Sequence, residues 1–575
     1  MENKNIADIL KVIADMLSLS DSPTTRFEVR AYQKASLTIE TMQEPIEDVY
    51  RKGGTKALME LPGIGKSIAG HIEEYIRTGR IRKYEELKAK YPVDFGSLTA
   101  ISGVGAKKAL ILYKKLGIRN VDDLKRALDK HKIRELEGFG EKSEESIRAG
   151  IGTLESSKGR MLISQALPIA QDITARLRSS GLVEQVLVAG SARRMRETVG
   201  DLDILAISKK SEEVMDFFTD LKDVERIIAK GPTKSTVLLK VGLSCDLRVL
   251  EPASFGAAVQ YFTGSRDHNI QVRQIAIDSG YKLNEYGLFN KKGKNVGGQE
   301  EESIYEKLGM QWMPPEMREA RGEVRLSQQH RIPKLVEMRD MKGDLHTHTK
   351  ETDGTGSLEE MAEAAAKLGY EYIANTDHTK STVIAKGKDD KGFERILKHV
   401  DKVNESLDGR LTVLKGAECD ILKDGTLDLG SKTLKQMDCV VGAVHSNTRM
   451  EREQMTGRIA RALDSGLIHI LAHPTGRIVG EREPYEVDLE KVAEAAERNN
   501  VAMEINSTER MDLNDTNVML VSKYRIMFAI DTDAHRMHDY SLMQYGVGIA
   551  RRGWLAKDRI LNALSLKELM KRLAK

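Results

Sequence analysis

Two carboxylates stand two residues apart in the apolar run VGDLDIL, Asp201 and Asp203. In an extended strand, residues i and i+2 face the same side, so both carboxylates project together. Holding two negative charges side by side away from water is costly unless a cation neutralises them. A pair of Mg²⁺ ions roughly 3.5–4 Å apart would do so and would clamp an in-line phosphoryl displacement. Such a site needs a third carboxylate, and the strand-like SCDLRVL offers Asp246. Upstream, GSARR presents a Gly-Ser turn and two arginines, whose forked donors suit phosphate oxygens. A bare Asp-x-Asp also occurs at solvated strand ends, and it is GSARR and the third acid that separate this one from those.

A second constellation fills the C-terminal part. GDLHTHT places His346 and His348 on one face of a strand. Asp353, His378 in NTDHT, Glu418 in GAECD, His445 in GAVHS, His473 in LAHPT, and Asp533 and His535 in DTDAH follow. A lone His on an apolar strand is more often a core residue than a ligand. Here nine such residues close predicted strands or open the loops after them. Imidazoles mixed with carboxylates suit Zn²⁺, Mn²⁺ or Fe²⁺. Clustered metals lower the pKa of a bound water and stabilise charge on a phosphoryl group, which is the chemistry of phosphoester hydrolysis. His399, His469 and His538 fall outside this pattern and read as structural or exposed.

The elements that must position these groups differ along the chain. From Lys342 onward, short apolar runs (YIANTDH, LTVLKGAECD, MDCVVGAVH, IHILAHP, VAMEIN, IMFAIDTDAH) alternate with amphipathic helices. That alternation predicts a parallel α/β architecture with its chemistry at the C-terminal ends of the strands. Residues 155–320 mix β-branched runs such as VEQVLVAG and STVLLKVGLSCDLRVL with helices. The charged stretch from Met313 to Met341, with Pro314, Pro315 and Pro333, reads as a linker. The first 150 residues read as short helices between Gly-rich turns, with three related phrases: LPGIGKSIAGHI, ISGVGAKKALIL and LEGFGEKSEESI. Each pairs a tight turn with a new helix, whose free N–H groups hold a phosphate oxygen. Gly63, Gly65 and Lys66, and Gly103, Gly105 and Lys107 beside Lys108, are the candidate contacts. The phrases resemble the helix-hairpin-helix motif, which grips the DNA backbone and gives salt-sensitive affinity without reading bases.

Bulk properties bound these readings. A length of 575 residues allows several domains, and 40% hydrophobic with 31% charged residues is an ordinary globular composition. A net charge of +3 would not by itself suggest nucleic acid. Three unpaired cysteines argue against a disulfide framework or a thiolate zinc site and fit a reducing cytoplasm. No run approaches the roughly 18 apolar residues of a membrane span, and the N-terminus lacks a cleavable leader pattern.

GSARR, DLDIL and CDLRV together resemble the nucleotidyltransferase palm of family X DNA polymerases. YFTGSRDHNIQVR at 261–273 resembles their nucleotide-binding helix and NEYGLF the segment that follows it. The resemblance extends over the whole chain to the bacterial and archaeal members with a C-terminal PHP (polymerase and histidinol phosphatase) phosphoesterase domain. It implies a helical helix-hairpin-helix region, an α+β palm and a distorted β/α barrel. The expected boundaries are 1–90 for a DNA-binding domain, 91–155 for a fingers-like region, 156–250 for the palm, 251–315 for a nucleotide-selection subdomain, 316–341 for the linker and 342–575 for the PHP domain.

By the same resemblance, Asp201 and Asp203 hold two Mg²⁺ or Mn²⁺ ions, and Asp246 binds the catalytic one near the primer 3′-OH. Ser191 and Arg194 hold the triphosphate, with Gly190 admitting its close approach. Tyr261 and Phe262, with Gly264 beside them, wall the sugar against a 2′-OH, and Asn269 and Arg273 line the nascent base pair. In the barrel, up to three Zn²⁺ or Mn²⁺ ions are expected. His346, His348, Glu418 and Asp533 share one, Glu418 bridges to a second on His445 and His473, and Asp353, His378 and His535 hold a third. The implied activity is gap filling with dNTPs on gapped or nicked DNA carrying a 5′-phosphate, joined to 3′→5′ exonuclease, 3′-phosphatase or abasic-site incision. A cytoplasmic, monomeric enzyme is expected. A small-molecule phosphatase with a relic polymerase half, or a DNA-end scaffold without activity, are the rival readings. The family's lyase-active members place a Schiff-base Lys where this chain has His71, and an imidazole has no primary amine to form the imine. Lys34 and Lys66 are the nearest alternative nucleophiles.

Overall fold

The computed structural model describes residues 3–19, 23–41, 46–99, 101, 104–136, 138–141, 143–145, 147–148, 151 and 159–574. Among these residues no helix is long and apolar enough to cross a membrane. The chain divides into two units, Met1–Lys158 and Gly159–Lys575.

The first unit is helical. Helices Asn3–Leu17, Pro23–Thr41, Ile46–Met59 and Lys66–Thr78 bury one core around Ile6, Leu10, Ile39, Ile68 and Ile72. Phe95–Thr99, Ala106–Leu116 and Val121–Asp129 enclose a second around Leu98, Leu112 and Leu124. The predicted Gly turns lead into helices. Gly65 is the extended cap before Lys66, and Gly105 the extended cap before Ala106. Gly63 has φ +81°, and a Cβ there would lie 2.5 Å from Cγ of Lys34, so the turn needs glycine both for its backbone and for the Lys34 stem laid across it. Gly103 lies outside the described residues.

The second unit carries both candidate sites. Strands β1 (Met161–Leu162) and β3 (Thr198–Val199) form a small antiparallel pair. Strands β2 (Gln185–Val188), β4 (Asp201–Ile207), β5 (Val224–Lys230), β6 (Lys234–Leu239) and β7 (Ser244–Leu250) form one sheet in the order β2-β4-β7-β6-β5. Only β4 and β7 run parallel, and they pair Asp203 directly with Asp246. Helices Phe255–Thr263, Arg266–Asp278 and Glu301–Lys307 then pack with a three-stranded sheet, β8 (Lys282–Asn284), β9 (Gly287–Phe289) and β10 (Asn295–Gly297), around Val272, Leu288, Ile304 and Tyr305.

The stretch read as a linker is a packed connection. Its prolines and charges suggest solvent, but Arg318 and Glu323 are fully buried. Arg318 donates to Glu301 at 2.6 Å and to the Met313 carbonyl, and Glu323 accepts from two backbone N–H groups and pairs with buried His268 at 2.8 Å. Paired in this way, the charges face inward.

From Gly343 the chain forms seven parallel strands in sequence order: β11 (Gly343–Thr347), β12 (Tyr372–Asn375), β13 (Thr412–Asp420), β14 (Cys439–Ala443), β15 (Ile470–Leu471), β16 (Ala502–Asn506) and β17 (Phe528–Asp531). A parallel bridge between Thr347 and Ala534 brings the last strand back to the first, so the sheet closes into a barrel. Every residue of β11, β12, β14, β16 and β17 is buried, as expected for strands covered on both faces.

Candidate active sites

The palm acids meet as the period-two reading requires. β4 carries Asp201 and Asp203, and the parallel register sets Asp246 beside Asp203. Burial, then Asp201 and Asp246, push the Asp203 carboxyl up to about 6. Asp246 is engaged from the neighbouring strand β6 by Lys234 at 2.9 Å and Thr236 at 2.6 Å, and from its own strand by Arg248 at 3.5 Å. Gly190, φ +63°, opens the GSAR helix against this cluster, and a Cβ there would overlap the Asp203 carboxylate. Only glycine lets the backbone come this close.

A cavity of about 880 Å³ is lined by Gly190, Ser191, Arg194, Asp201, Asp203, Tyr261, Phe262, Gly264, Asn269 and Arg273. Sequence reasoning had named all ten from segments far apart in the chain. Tyr261 and Phe262 pack edge to face at 5.1 Å, and Asn269 donates to the Tyr261 carbonyl at 2.6 Å. Arg193 forks onto Glu301 at 2.9 and 3.0 Å and donates to the Thr263 hydroxyl at 2.6 Å. Burial opposes the Glu301 charge, but Arg318 and Arg193 outweigh it and hold its carboxyl down at about 2. Glu319, absent from the sequence reading, also lines the cavity.

A proton and a divalent cation compete for Asp203. Because its pKa is raised, the carboxyl is protonated below about pH 6 and ionised above it. Mg²⁺ affinity at this acid pair is therefore expected to rise as pH passes through about 6 and to level off above it. Calorimetric Mg²⁺ titrations from pH 5 to 8 check this, and affinity independent of pH across that range would contradict it.

In the barrel all nine predicted ligands gather at the C-terminal ends of the strands, as the parallel architecture requires. His346 and His348 place Nε2 3.5 and 3.6 Å from Glu418 Oε2, and 3.7 and 3.2 Å from Asp533 Oδ1. Oε1 of the same Glu418 lies 3.1 Å from His445 Nε2 and 3.0 Å from His473 Nε2. Asp353 Oδ2 lies 3.4 Å from Nε2 of both His378 and His535. Donors roughly 2.0–2.1 Å from a tetrahedral Zn²⁺ stand about 3.3 Å apart, close to these spacings. His346 Nε2, both His348 nitrogens, His378 Nδ1 and Glu418 Oε2 are buried without a hydrogen-bond partner. Such atoms require another partner, and donors that crowd together without hydrogen-bonding geometry fit shared divalent cations.

The charges follow the same logic. Burial raises the Glu418 carboxyl, yet His445, His378 and His346 outweigh this and hold it well below the carboxylate range. Burial, His535 and His378 push His348 down to about 4, the neutral form a metal needs. His445 and His535 are carried up to about 9 by their carboxylate neighbours against burial.

The residues around these ligands were not foreseen. Glu504 on β16 pairs with His346 Nδ1 at 2.6 Å and accepts from the His473 N–H at 2.5 Å, orienting two ligands at once. Asp420 lies 3.2 Å from His445 Nδ1. For Glu504 the signal was an acid inside the apolar run VAMEIN, which holds none of the nine predicted ligands. His469 accepts from the Val440 N–H at 2.9 Å, His399 pairs with Glu359 at 2.7 Å, and His538 is exposed.

In the first unit, Lys34, Lys66 and Lys107 are exposed at the Gly turns. His71 stacks on Tyr32 at 6.2 Å and lies 3.8 Å from Glu74.

Family models match in four places: a helix-hairpin-helix domain over residues 1–81, a helix-hairpin-helix tandem over 95–153, a DNA polymerase beta thumb over 258–319 and a PHP domain over 344–508. A Bacillus subtilis protein named DNA polymerase/3′-5′ exonuclease PolX is 36% identical over 574 residues, 99% of each chain. An Arabidopsis thaliana DNA polymerase lambda is 26% identical over 55% of this chain and 62% of its own. A Thermoanaerobacter protein named probable phosphatase is 27% identical over 38% of this chain and 89% of its own. With helix-hairpin-helix motifs, paired palm acids and a His-rich barrel in one chain, and a relative aligned end to end, this protein belongs to the family X DNA polymerases that carry a C-terminal PHP domain.

Proposed function

We propose that this chain fills short DNA gaps at the palm and hydrolyses 3′ ends at the barrel centre. The observation that carries the reading is the register of Asp203 against Asp246, beside the Gly190 turn and within a cavity lined by the nucleotide-binding candidates. Asp201, Asp203 and Asp246 hold two Mg²⁺ or Mn²⁺ ions, which supply charge neutralisation for an in-line displacement. Ser191 and Arg194 bind triphosphate oxygens. Tyr261 and Phe262 wall the sugar, and Gly264, Asn269 and Arg273 shape the pocket around the incoming base. In the barrel, the nine residues would hold Zn²⁺ or Mn²⁺, which would supply Lewis acidity for phosphoester hydrolysis, and Glu504 and Asp420 orient the His346 and His445 imidazoles through Nδ1. Each site is complete within one chain, which supports a monomer. A DNA-repair role supports a cytoplasmic location.

The Gly turn at Gly63–Lys66 and the helix start at Gly105–Lys107 grip backbone phosphates, with Gly103 as a further candidate contact, and Lys34, laid over the first turn, adds a cation for a downstream 5′-phosphate. A gapped duplex with a 5′-phosphate is therefore extended more efficiently than an open primer–template, and more so at low salt. Equal use of both substrates at moderate salt would remove this assignment. His71 stacks against Tyr32 and offers no amine, so borohydride trapping of a 5′-deoxyribose phosphate at this unit should be inefficient. The decisive test of the whole reading is a gap assay with dNTPs and Mn²⁺, which follows the primer as it lengthens or shortens. Hydrolysis of small phosphomonoesters with no effect on the primer would favour the reading suggested by the barrel's phosphatase-named relatives.

A further inference from the structure

Arg194 is anchored from outside the palm. Its Nε donates to Glu319 Oε1 at 3.1 Å, and its Nη1 to the Thr263 carbonyl at 2.5 Å. The same Glu319 oxygen accepts from Nη1 of Arg552 at 3.0 Å, and that Nη1 also donates to the Arg194 carbonyl at 2.8 Å. Arg552 thus grips Arg194 at its backbone and through the carboxylate on its side chain. Arg552 ends the helix Met543–Arg552, is 2% exposed, and is held from the other side by Asp515 at 2.6 Å. Asp515 in turn pairs with Arg321 at 3.0 Å.

A second contact reaches the same loop by packing. Met195 follows Arg194 with φ +51°. Its side chain lies against Gly548 on the same helix, where a Cβ would come within 2.7 Å of Met195 Cε and 3.0 Å of Met195 Cβ. Both contacts come from the helix Met543–Arg552 and converge on the two residues after GSAR. Glu319 is also an acid in the wall of a cavity that has to accept a triphosphate. Left unbalanced, it would repel the nucleotide, and Arg552, Arg194 and Arg196 surround it.

We propose that Arg552 is a positioning residue of the nucleotide site, so that the helix Met543–Arg552, which follows the last barrel strand, completes the triphosphate cradle of the palm. The inference rests on the polymerase reading above. It predicts an effect on nucleotide binding from a residue that touches neither nucleotide nor metal.

The test is steady-state gap filling by the full chain, with KM for dNTP and kcat separated. Melting temperature and Mn²⁺-dependent 3′ hydrolysis are measured on the same preparations. Arg552→Met is expected to raise KM by about 10–100-fold, the scale for losing a partner that orients a binding group, with kcat changed far less. Arg552→Lys should recover part of this, because an ammonium balances Glu319 but cannot fork between Glu319 and Asp515. Gly548→Val, which pushes on Met195 instead, should raise KM in the same direction. Hydrolysis of 3′ ends should stay within about twofold in all three, since none contacts the barrel ligands. Wild-type KM in both Arg552→Met and Gly548→Val would overturn the proposal. So would a parallel fall of melting temperature, hydrolysis and extension, because that is the signature of a purely structural role. If Arg552→Met does not fold, Arg552→Lys and Gly548→Val decide the matter by the same KM criterion. Absence of extension by the wild-type chain would instead refute the polymerase reading itself.

Discussion

Asp203→Ala is expected to abolish primer extension while leaving DNA binding and 3′ hydrolysis within about twofold of wild type. Removing a partner that merely orients a metal ligand costs about 10–100-fold, and loss of the central ligand itself should exceed that range. The position of Asp203 explains the size of the effect. It stands between Asp201 on its own strand and Asp246 across the parallel register, with the Gly190 turn pressed against its carboxylate. Melting temperature separates loss of chemistry from loss of fold. The Asp203 carboxyl is raised to about 6, so at pH above that its charge opposes the folded state. Removing it should leave the fold as stable or more so when no divalent cation is added, and should abolish the stabilisation that Mg²⁺ gives wild type. Extension within tenfold of wild type would show that the palm acids are wrongly assigned.

How much of this was legible in the sequence depends on the range of the interaction. The Asp201/Asp203 pair was readable because side-chain direction in a strand has period two, a local rule. The candidate barrel ligands were readable because a parallel sheet puts its chemistry at the C-terminal ends of its strands, so most apolar runs led to a candidate at or near their ends. The supports of these residues were not readable in the same way. Arg193 finds Glu301 and Arg194 finds Glu319 across more than a hundred residues, and such pairs leave no periodicity to detect. Glu504 was missed because the rule pointed to the end of VAMEIN, whereas the acid two residues earlier reaches His346. The burial of Arg318 and Glu323 was not readable for a related reason. Charge and proline usually mark solvent, and only the tertiary partners Glu301 and His268 show that these charges turn inward.

Glu418→Ala should have the largest effect at the barrel, removing 3′ hydrolysis and lowering the metal bound per chain, with extension preserved. The two oxygens of Glu418 face different sets of imidazoles. Oε1 faces His445 and His473 at 3.1 and 3.0 Å, while Oε2 faces His346, His348 and His378 at 3.5, 3.6 and 2.8 Å. Its removal opens two neighbouring metal positions together and leaves five imidazoles, four of them buried, without the charge that balances a cation. His348→Ala also removes a ligand but leaves the His445–His473 side intact, so it should abolish hydrolysis with a smaller loss of metal. Glu504→Gln keeps all nine ligands and weakens only the hold on His346 and the His473 backbone, so a reduction of about 10–100-fold is expected there. The order Glu418→Ala, His348→Ala, Glu504→Gln for metal loss is what the bridging geometry demands, read by elemental analysis after gel filtration at pH 7.5. The competition with protons runs the same way. His445 and His535 titrate near 9 among the ligand side chains themselves, so metal must displace protons from them, and loading should strengthen as pH rises toward that value. Full metal occupancy in Glu418→Ala would sink the bridging role, whatever happened to hydrolysis.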